Sequence, residues 1–170
     1  RQVHEKCFMN DKIARCLAVL DSEGVKYRFA EHGRADTIED VIALGLEGGD
    51  KIAKNLFVRD DKKLNYYVLT VEQSKAVSLR AAQDKMGSRK LSFASPEELG
   101  ELLGLQAGSV TPLGYMNDSA KKVKFVIDRA FRGGEIGVHP LDSTATVWLE
   151  SDALVALIRK HGNFVYYLGF

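Results

Sequence analysis

A lysine at the mouth of an apolar strand opens the most informative stretch of this chain, Lys54-Asn55-Leu56-Phe57-Val58. Its ammonium is costly to place unless it faces water, a carboxylate or an anionic ligand. At neutral pH it is a point charge with three donors, suited to a phosphate oxygen or a polarised carbonyl. Two further segments carry residues that could converge on the same ligand. One is Gly108-Ser109-Val110-Thr111-Pro112, and the other runs from His139-Pro140-Leu141-Asp142 through Ser143, Thr144, Ala145 and Thr146. Together they predict a small pocket that holds a phosphate-bearing substrate and cleaves a bond beside it.

Each of these residues also has a plainer explanation. Lys54 could be a strand-end lysine reaching water. Asn55 alternates to the opposite side of a regular strand from Lys54, unless a bulge or bend turns both toward one pocket. The Gly108–Pro112 loop has glycine for permissive backbone angles and proline to fix its exit, so it can form a shaped lid with exposed amides. Ordinary connections look the same. His139 is held extended by Pro140, and a neutral imidazole there could position water or bond a substrate hydroxyl. A histidine packed against the turn is the competing explanation. Thr144 and Thr146 could be strand residues with no site role.

The elements that must position these residues can be read from periodicity and punctuation. Asn10 or Asp11 can cap a helix through about Leu20, with Ile13, Cys16, Leu17 and Leu20 on one face. After Gly24, the alternation from Val25 to Phe29 predicts a strand, and Thr37 precedes a short amphipathic helix, Ile38 to Leu44. The Lys54 strand turns at Asp60-Asp61-Lys62-Lys63 into a second strand, Leu64 to Val71. Ser78 to Met86 reads as a helix stopped by Gly87. Ser95-Pro96-Glu97-Glu98 is a capping box with proline at the first helical position, opening a helix to Leu103 and Gly104. Strands follow at Val123–Ile127, Ile136–His139 and Thr144–Leu149. Ser151 is expected to cap the last helix, Gly162 to close it, and Phe164–Leu168 to form the final strand. Strands mixed irregularly with helices predict an α+β domain, with residues 1–170 forming one unit.

Composition narrows the function. The 170 residues can bury a real core, and 45% hydrophobic with 28% charged residues is ordinary for a soluble domain. No apolar run approaches a membrane span and no leader is apparent, so a cytoplasmic protein without a membrane partner is expected. The net charge of +1 argues against wrapping DNA or another long nucleic acid, but permits contact with one nucleic-acid end. Cys7 and Cys16 fall on nearly opposite sides of a predicted helix and read as reduced thiols. The histidines, at 4, 32, 139 and 161, lack metal-ligand spacing, and no nucleophile elbow or dinucleotide fingerprint is present.

Taken together, the segments resemble the family of free-standing prolyl-tRNA editing proteins, related to the editing insertion of bacterial prolyl-tRNA synthetases. The resemblance runs from about His32 to Phe170. It is carried by Lys54-Asn55-Leu56-Phe57-Val58, Lys90-Leu91-Ser92-Phe93-Ala94-Ser95, Gly108-Ser109-Val110-Thr111-Pro112, Asn117-Asp118, His139-Pro140-Leu141 and Thr144-Ala145-Thr146. It implies the YbaK-type fold, a curved, mixed and largely antiparallel sheet with flanking helices. It further implies hydrolysis of the ester joining a wrong amino acid to the 3′ end of tRNA(Pro), with prolyl-tRNA synthetase as a second partner and no cofactor or metal.

Within that family, Lys-Asn at the strand start resembles the branch acting on alanyl-tRNA(Pro), whereas Lys-Thr is commoner in the cysteinyl-tRNA(Pro) branch. Ser143 departs from the branch's usual asparagine and leaves cysteinyl or other small aminoacyl esters open. The implied roles are Lys54 on the terminal phosphate, Asn55 and His139 on the aminoacyl end or water, and the Gly108–Pro112 loop with Ser143, Thr144 and Thr146 around the substrate. Physical economy agrees with such a task. A synthetase site built for proline rejects smaller alanine by only about 1–3 kcal/mol per methylene, and a second, smaller pocket can supply the remaining discrimination. The competing classes are a non-catalytic module that holds an aminoacyl or nucleotide end, and a general RNA-binding domain.

Overall fold

The computed structural model describes residues 10–170 as two sheets that meet at one seam. Helix α1 (Asp11–Ser22) is capped by the Asn10 side chain, which accepts from the Ile13 amide, and buries Ile13, Cys16 and Leu20. Strand β1 (Tyr27–Glu31) follows, then α2 (Ile38–Ala43), whose Thr37–Asp40 capping box fixes the entry to its short turn. The long hairpin is β2 (Lys54–Asp60) and β3 (Tyr66–Val71). Next come α3 (Leu79–Met86), β4 (Leu91–Phe93) and α4 (Pro96–Leu103), the last opened by the expected Ser95–Glu98 capping box. Beyond a 3₁₀ turn at Pro112–Asn117 lie β5 (Val123–Asp128), β6 (Glu135–Val138), β7 (Ala145–Glu150), α5 (Ser151–His161) and β8 (Val165–Leu168).

The larger sheet has the order β4-β2-β3-β5-β8 and the smaller β1-β7-β6. Four of the six strand pairings among the described residues are antiparallel; β3–β5 and β5–β8 are parallel. The architecture is α+β with a mixed, largely antiparallel sheet system, as expected. Among the described residues one isolated parallel bridge, Ile52 to Gly137, ties the sheets together, and the Ala53 amide donates to the Gly137 carbonyl at 2.9 Å. Glycine is required there because a Cβ on residue 137 would lie 2.8 Å from Ile52 Cγ1. The main core fills the space beneath the larger sheet with Phe57, Val68, Phe125, Ile127, Leu103, Leu113 and Leu154. Each such fully buried side chain contributes about 1.5–3 kcal/mol of apolar transfer energy.

Several boundaries differ from the sequence expectation, each for a tertiary reason. The first strand lies two residues later than Val25–Phe29, because pairing with β7 aligns Tyr27 with Leu149 and Glu31 with Ala145. The hairpin turn runs on past Leu64, since Asp60 Oδ1 accepts from both the Lys62 and Leu64 amides. Ser151 does not cap α5. Glu150 occupies the cap position without a side-chain bond, and the Ser151 hydroxyl instead donates to the Phe131 carbonyl. Cys16 is buried, and burial pushes its thiol up to about 12, leaving a packing residue rather than a reactive one. Cys7 lies outside the described residues.

Candidate active site

The seam between the sheets opens into a cavity of about 210 Å³. One wall is the start of β2, with Ile52, Ala53, Lys54 and Asn55. The facing walls come from Ala35, Asp36, Thr37, Ile38 and Val41 around α2, from Gly108 and Val110, and from His139 just beyond β6. The β2–β3 register is unbroken from Lys54 to Arg59. No bulge therefore brings Lys54 and Asn55 together, yet both line the cavity. Asn55 is fixed there by the Thr70 hydroxyl, which donates to its Oδ1 at 2.6 Å.

His139 is 8% exposed, and its Nδ1 lies 2.9 Å from the Ala145 carbonyl oxygen. A carbonyl only accepts, so Nδ1 carries the proton and the neutral ring keeps its lone pair on Nε2. Burial lowers the imidazole pKa below 6.5; the Ala145 and Ala35 carbonyls pull the other way, and burial prevails. His32 faces this ring at 6.4 Å between centroids and adds to the lowering. The result is a neutral histidine in the cavity wall at pH 7.

The remaining predicted site residues stand behind the wall rather than in it. Thr111 is fully buried and donates to the His139 carbonyl at 2.7 Å while accepting from the Leu113 amide, so it holds the histidine's backbone. Ser109 and Pro112 are buried beside it. Thr146 is also fully buried and shares a 2.8 Å hydrogen bond with His32 Nε2. Thr144 bonds Asp142 within the turn that follows His139. Ser143 is 2% exposed; its carbonyl accepts from the Ala35 amide, and its side chain helps lower the pKa of the adjacent Asp36. Thus Lys54, Asn55, Gly108, Val110 and His139 meet at the cavity, and Ser109, Thr111, Pro112, Ser143, Thr144 and Thr146 do not line it.

The α2 side of the cavity escaped the sequence reading. Asp36, Ile38 and Val41 belong to a segment that looked like an ordinary capped helix. The one available signal was Asp36 itself, an acid immediately before the Thr37 cap that the capping box does not use. Gly108 explains how Asp36 fits. Its φ is +87°, and a Cβ there would sit 2.6 Å from Asp36 Cγ. Among the described residues no cluster of histidine, cysteine and carboxylate side chains could hold a metal ion. No helix among them is long and apolar enough to cross a membrane.

A small recess with one lysine, a neutral histidine and a glycine-shaped loop thus lies at the seam of this α+β fold. Residues 32–157 match the aminoacyl-tRNA editing domain family, and the chain belongs to it. Among its relatives is the prolyl-tRNA editing protein ProX of Acetoanaerobium sticklandii. It is 38% identical over 148 residues, covering 86% of this chain and 90% of that protein. The prolyl-tRNA synthetase associated domain-containing protein 1 of Mus musculus is 31% identical over 158 residues, covering 89% of this chain and 92% of that protein. In fold, the chain is similar to a crystal structure described as a candidate trans-editing enzyme for prolyl-tRNA synthetase. That likeness has a TM-score of 0.71 at 23% identity, over 95% of this chain and 99% of the other.

Proposed function

We propose that the protein is a trans-editing aminoacyl-tRNA deacylase that hydrolyses mischarged tRNA(Pro), with alanyl-tRNA(Pro) as its main substrate. The observation that carries this reading is the meeting of Lys54, Asn55, Gly108 and His139 around one cavity of about 210 Å³. An aminoacyl ester is already activated, so the site needs no covalent nucleophile. It must hold the ester, admit water and stabilise the oxyanion.

In this mechanism Lys54 binds the terminal phosphate and fixes the ribose at the cavity mouth. Water adds to the ester carbonyl, the bond to the ribose oxygen breaks, and a proton passes to that leaving oxygen. The neutral His139 accepts a hydrogen bond at Nε2 from the water or the vicinal ribose hydroxyl. Asn55, held by Thr70, donates from its amide toward the ester. The Gly108–Val110 segment closes the side of the cavity where a larger amino acid would extend. A second recess of about 190 Å³ shares Asn55, Gly108 and Val110 with the first and is edged by Phe93, which is 60% exposed. The terminal base, attached to the same ribose, stacks there. Prolyl-tRNA synthetase, or the acceptor stem itself, confers tRNA selection.

A panel of alanyl-, cysteinyl-, seryl- and prolyl-tRNA(Pro) tests the reading. Alanyl ester should be released over multiple turnovers with prolyl ester spared, and Lys54→Ala should abolish release in a protein that still folds. Binding of charged tRNA without release would make it a holding module instead, and a preference for cysteinyl ester would reassign the substrate.

A further inference from the structure

The cavity walls carry one cationic and one anionic side chain among the described residues, Lys54 and Asp36. The deacylation mechanism uses the first and leaves the second without a task. The substrate's end has a matching asymmetry, since its phosphates are anionic and its sole cation is the α-ammonium of the amino acid. We propose that Asp36 receives that α-ammonium group, so that the site selects esters of free amino acids over N-blocked or α-hydroxy acyl esters. This inference rests on the deacylase reading and specifies how its site recognises the acyl group.

Asp36 is built for such a contact. Its side chain is one-third exposed, at 33%, and stands at the mouth rather than in the core. Its Oδ2 accepts from Arg34 Nε at 2.7 Å, and Arg34 reaches in from the outer surface, where it is 59% exposed. The buried Ser143 side chain stands beside the same carboxylate and helps hold its pKa down, and the Asp36 amide donates to Asp40 at 3.2 Å. A carboxylate offers about four acceptor positions, so these partners orient it and leave capacity for a further donor. The absent side chain at Gly108 lets the loop close directly over it. Arg34's guanidinium holds the Asp36 carboxyl below its ordinary range, and the neighbouring His139 is neutral, so the negative charge stays available. Ser143 is then a positioning residue. Its departure from asparagine bears on the carboxylate rather than on the size of the cavity.

The test compares alanyl-tRNA(Pro) with lactyl-tRNA(Pro), in which a hydroxyl replaces the ammonium, and with N-acetylalanyl-tRNA(Pro). A charge-assisted hydrogen bond predicts that the wild type prefers alanyl over lactyl ester by about 10- to 100-fold in kcat/KM. Asp36→Asn keeps the shape and should collapse that ratio toward one. Ser143→Ala, which loosens the carboxylate without removing its charge, should lower the ratio part-way. Because the readout is a ratio, loss of folded protein does not move it. A wild type that cleaves both esters equally, or an Asp36→Asn variant that keeps the full preference, overturns the inference while deacylation stands. A wild type that cleaves neither ester overturns the deacylase reading, and this inference with it.

Discussion

Gly108→Ala is the substitution whose effect can be worked furthest from geometry. Residue 108 has φ of +87°, in the left-handed region where a Cβ crowds its own backbone. That conformation costs a non-glycine residue about 1–2 kcal/mol. The new methyl would also lie 2.6, 2.8 and 2.9 Å from Cγ, Oδ1 and Cβ of Asp36, closer than carbon and oxygen atoms tolerate. Asp36 cannot simply swing aside without breaking its 2.7 Å ion pair with Arg34, and its Cβ as well as its carboxylate is crowded. The loop or α2 must therefore shift. At about 2–4 °C per kcal/mol for a chain of this size, the backbone term alone lowers Tm by roughly 2–8 °C. A displacement of about 1 Å at a site of this kind costs about 10²-fold in rate. Thermal unfolding and alanyl-tRNA(Pro) deacylation on the same preparation check both numbers. A Gly108→Ala protein that melts and turns over like wild type would refute the claim that this loop and Asp36 form one tight wall.

Three other outcomes follow from the same geometry. His139 titrates below 6.5 when folded and near 6.5 when unfolded, so the unfolded chain binds the extra proton first. Its contribution to stability is therefore present above pH 6.5 and is lost as pH falls through the lower folded value; denaturant melts across that range should show an acid-side slope that His139→Gln diminishes. Thr111→Val keeps the shape but strands the His139 carbonyl and the Leu113 amide, and should destabilise by about 1–3 kcal/mol in urea unfolding, with slower deacylation as the histidine loosens. Phe93→Ala removes a stacking surface worth about 1–3 kcal/mol, so KM for charged tRNA should rise about 5- to 150-fold with Tm little changed, since the ring is largely exposed.

Much of the scaffold was legible along the chain because its signals are local. The Ser95–Glu98 capping box and the left-handed glycines at 87, 104 and 162 are contacts within a few residues, and each stands where the pattern put it. The β4 strand and the Pro112–Asn117 turn gave no such signal, being too short for any period to register. Ser151 misled because serine before an apolar helix favours capping, whereas the Phe131 carbonyl, twenty residues away, claimed its hydroxyl.

The site divides along the same line. Residue type and order made candidates of Lys54, Asn55, Gly108 and His139, which line the cavity, since a strand-end cation with its neighbour, a permissive loop and a histidine before proline are chemical statements that need no coordinates. Which side chains face the cavity was decided only by the seam at Ile52 and Gly137, where two sheets are pinned by a bridge. That long-range contact carries β2 past α2, bringing Asp36 into the wall and leaving Thr111, Ser143 and Thr146 as supports behind it. A linear chain records which groups can bond or carry charge. Which of them share a cavity depends on non-local packing, and no periodicity within one segment encodes that.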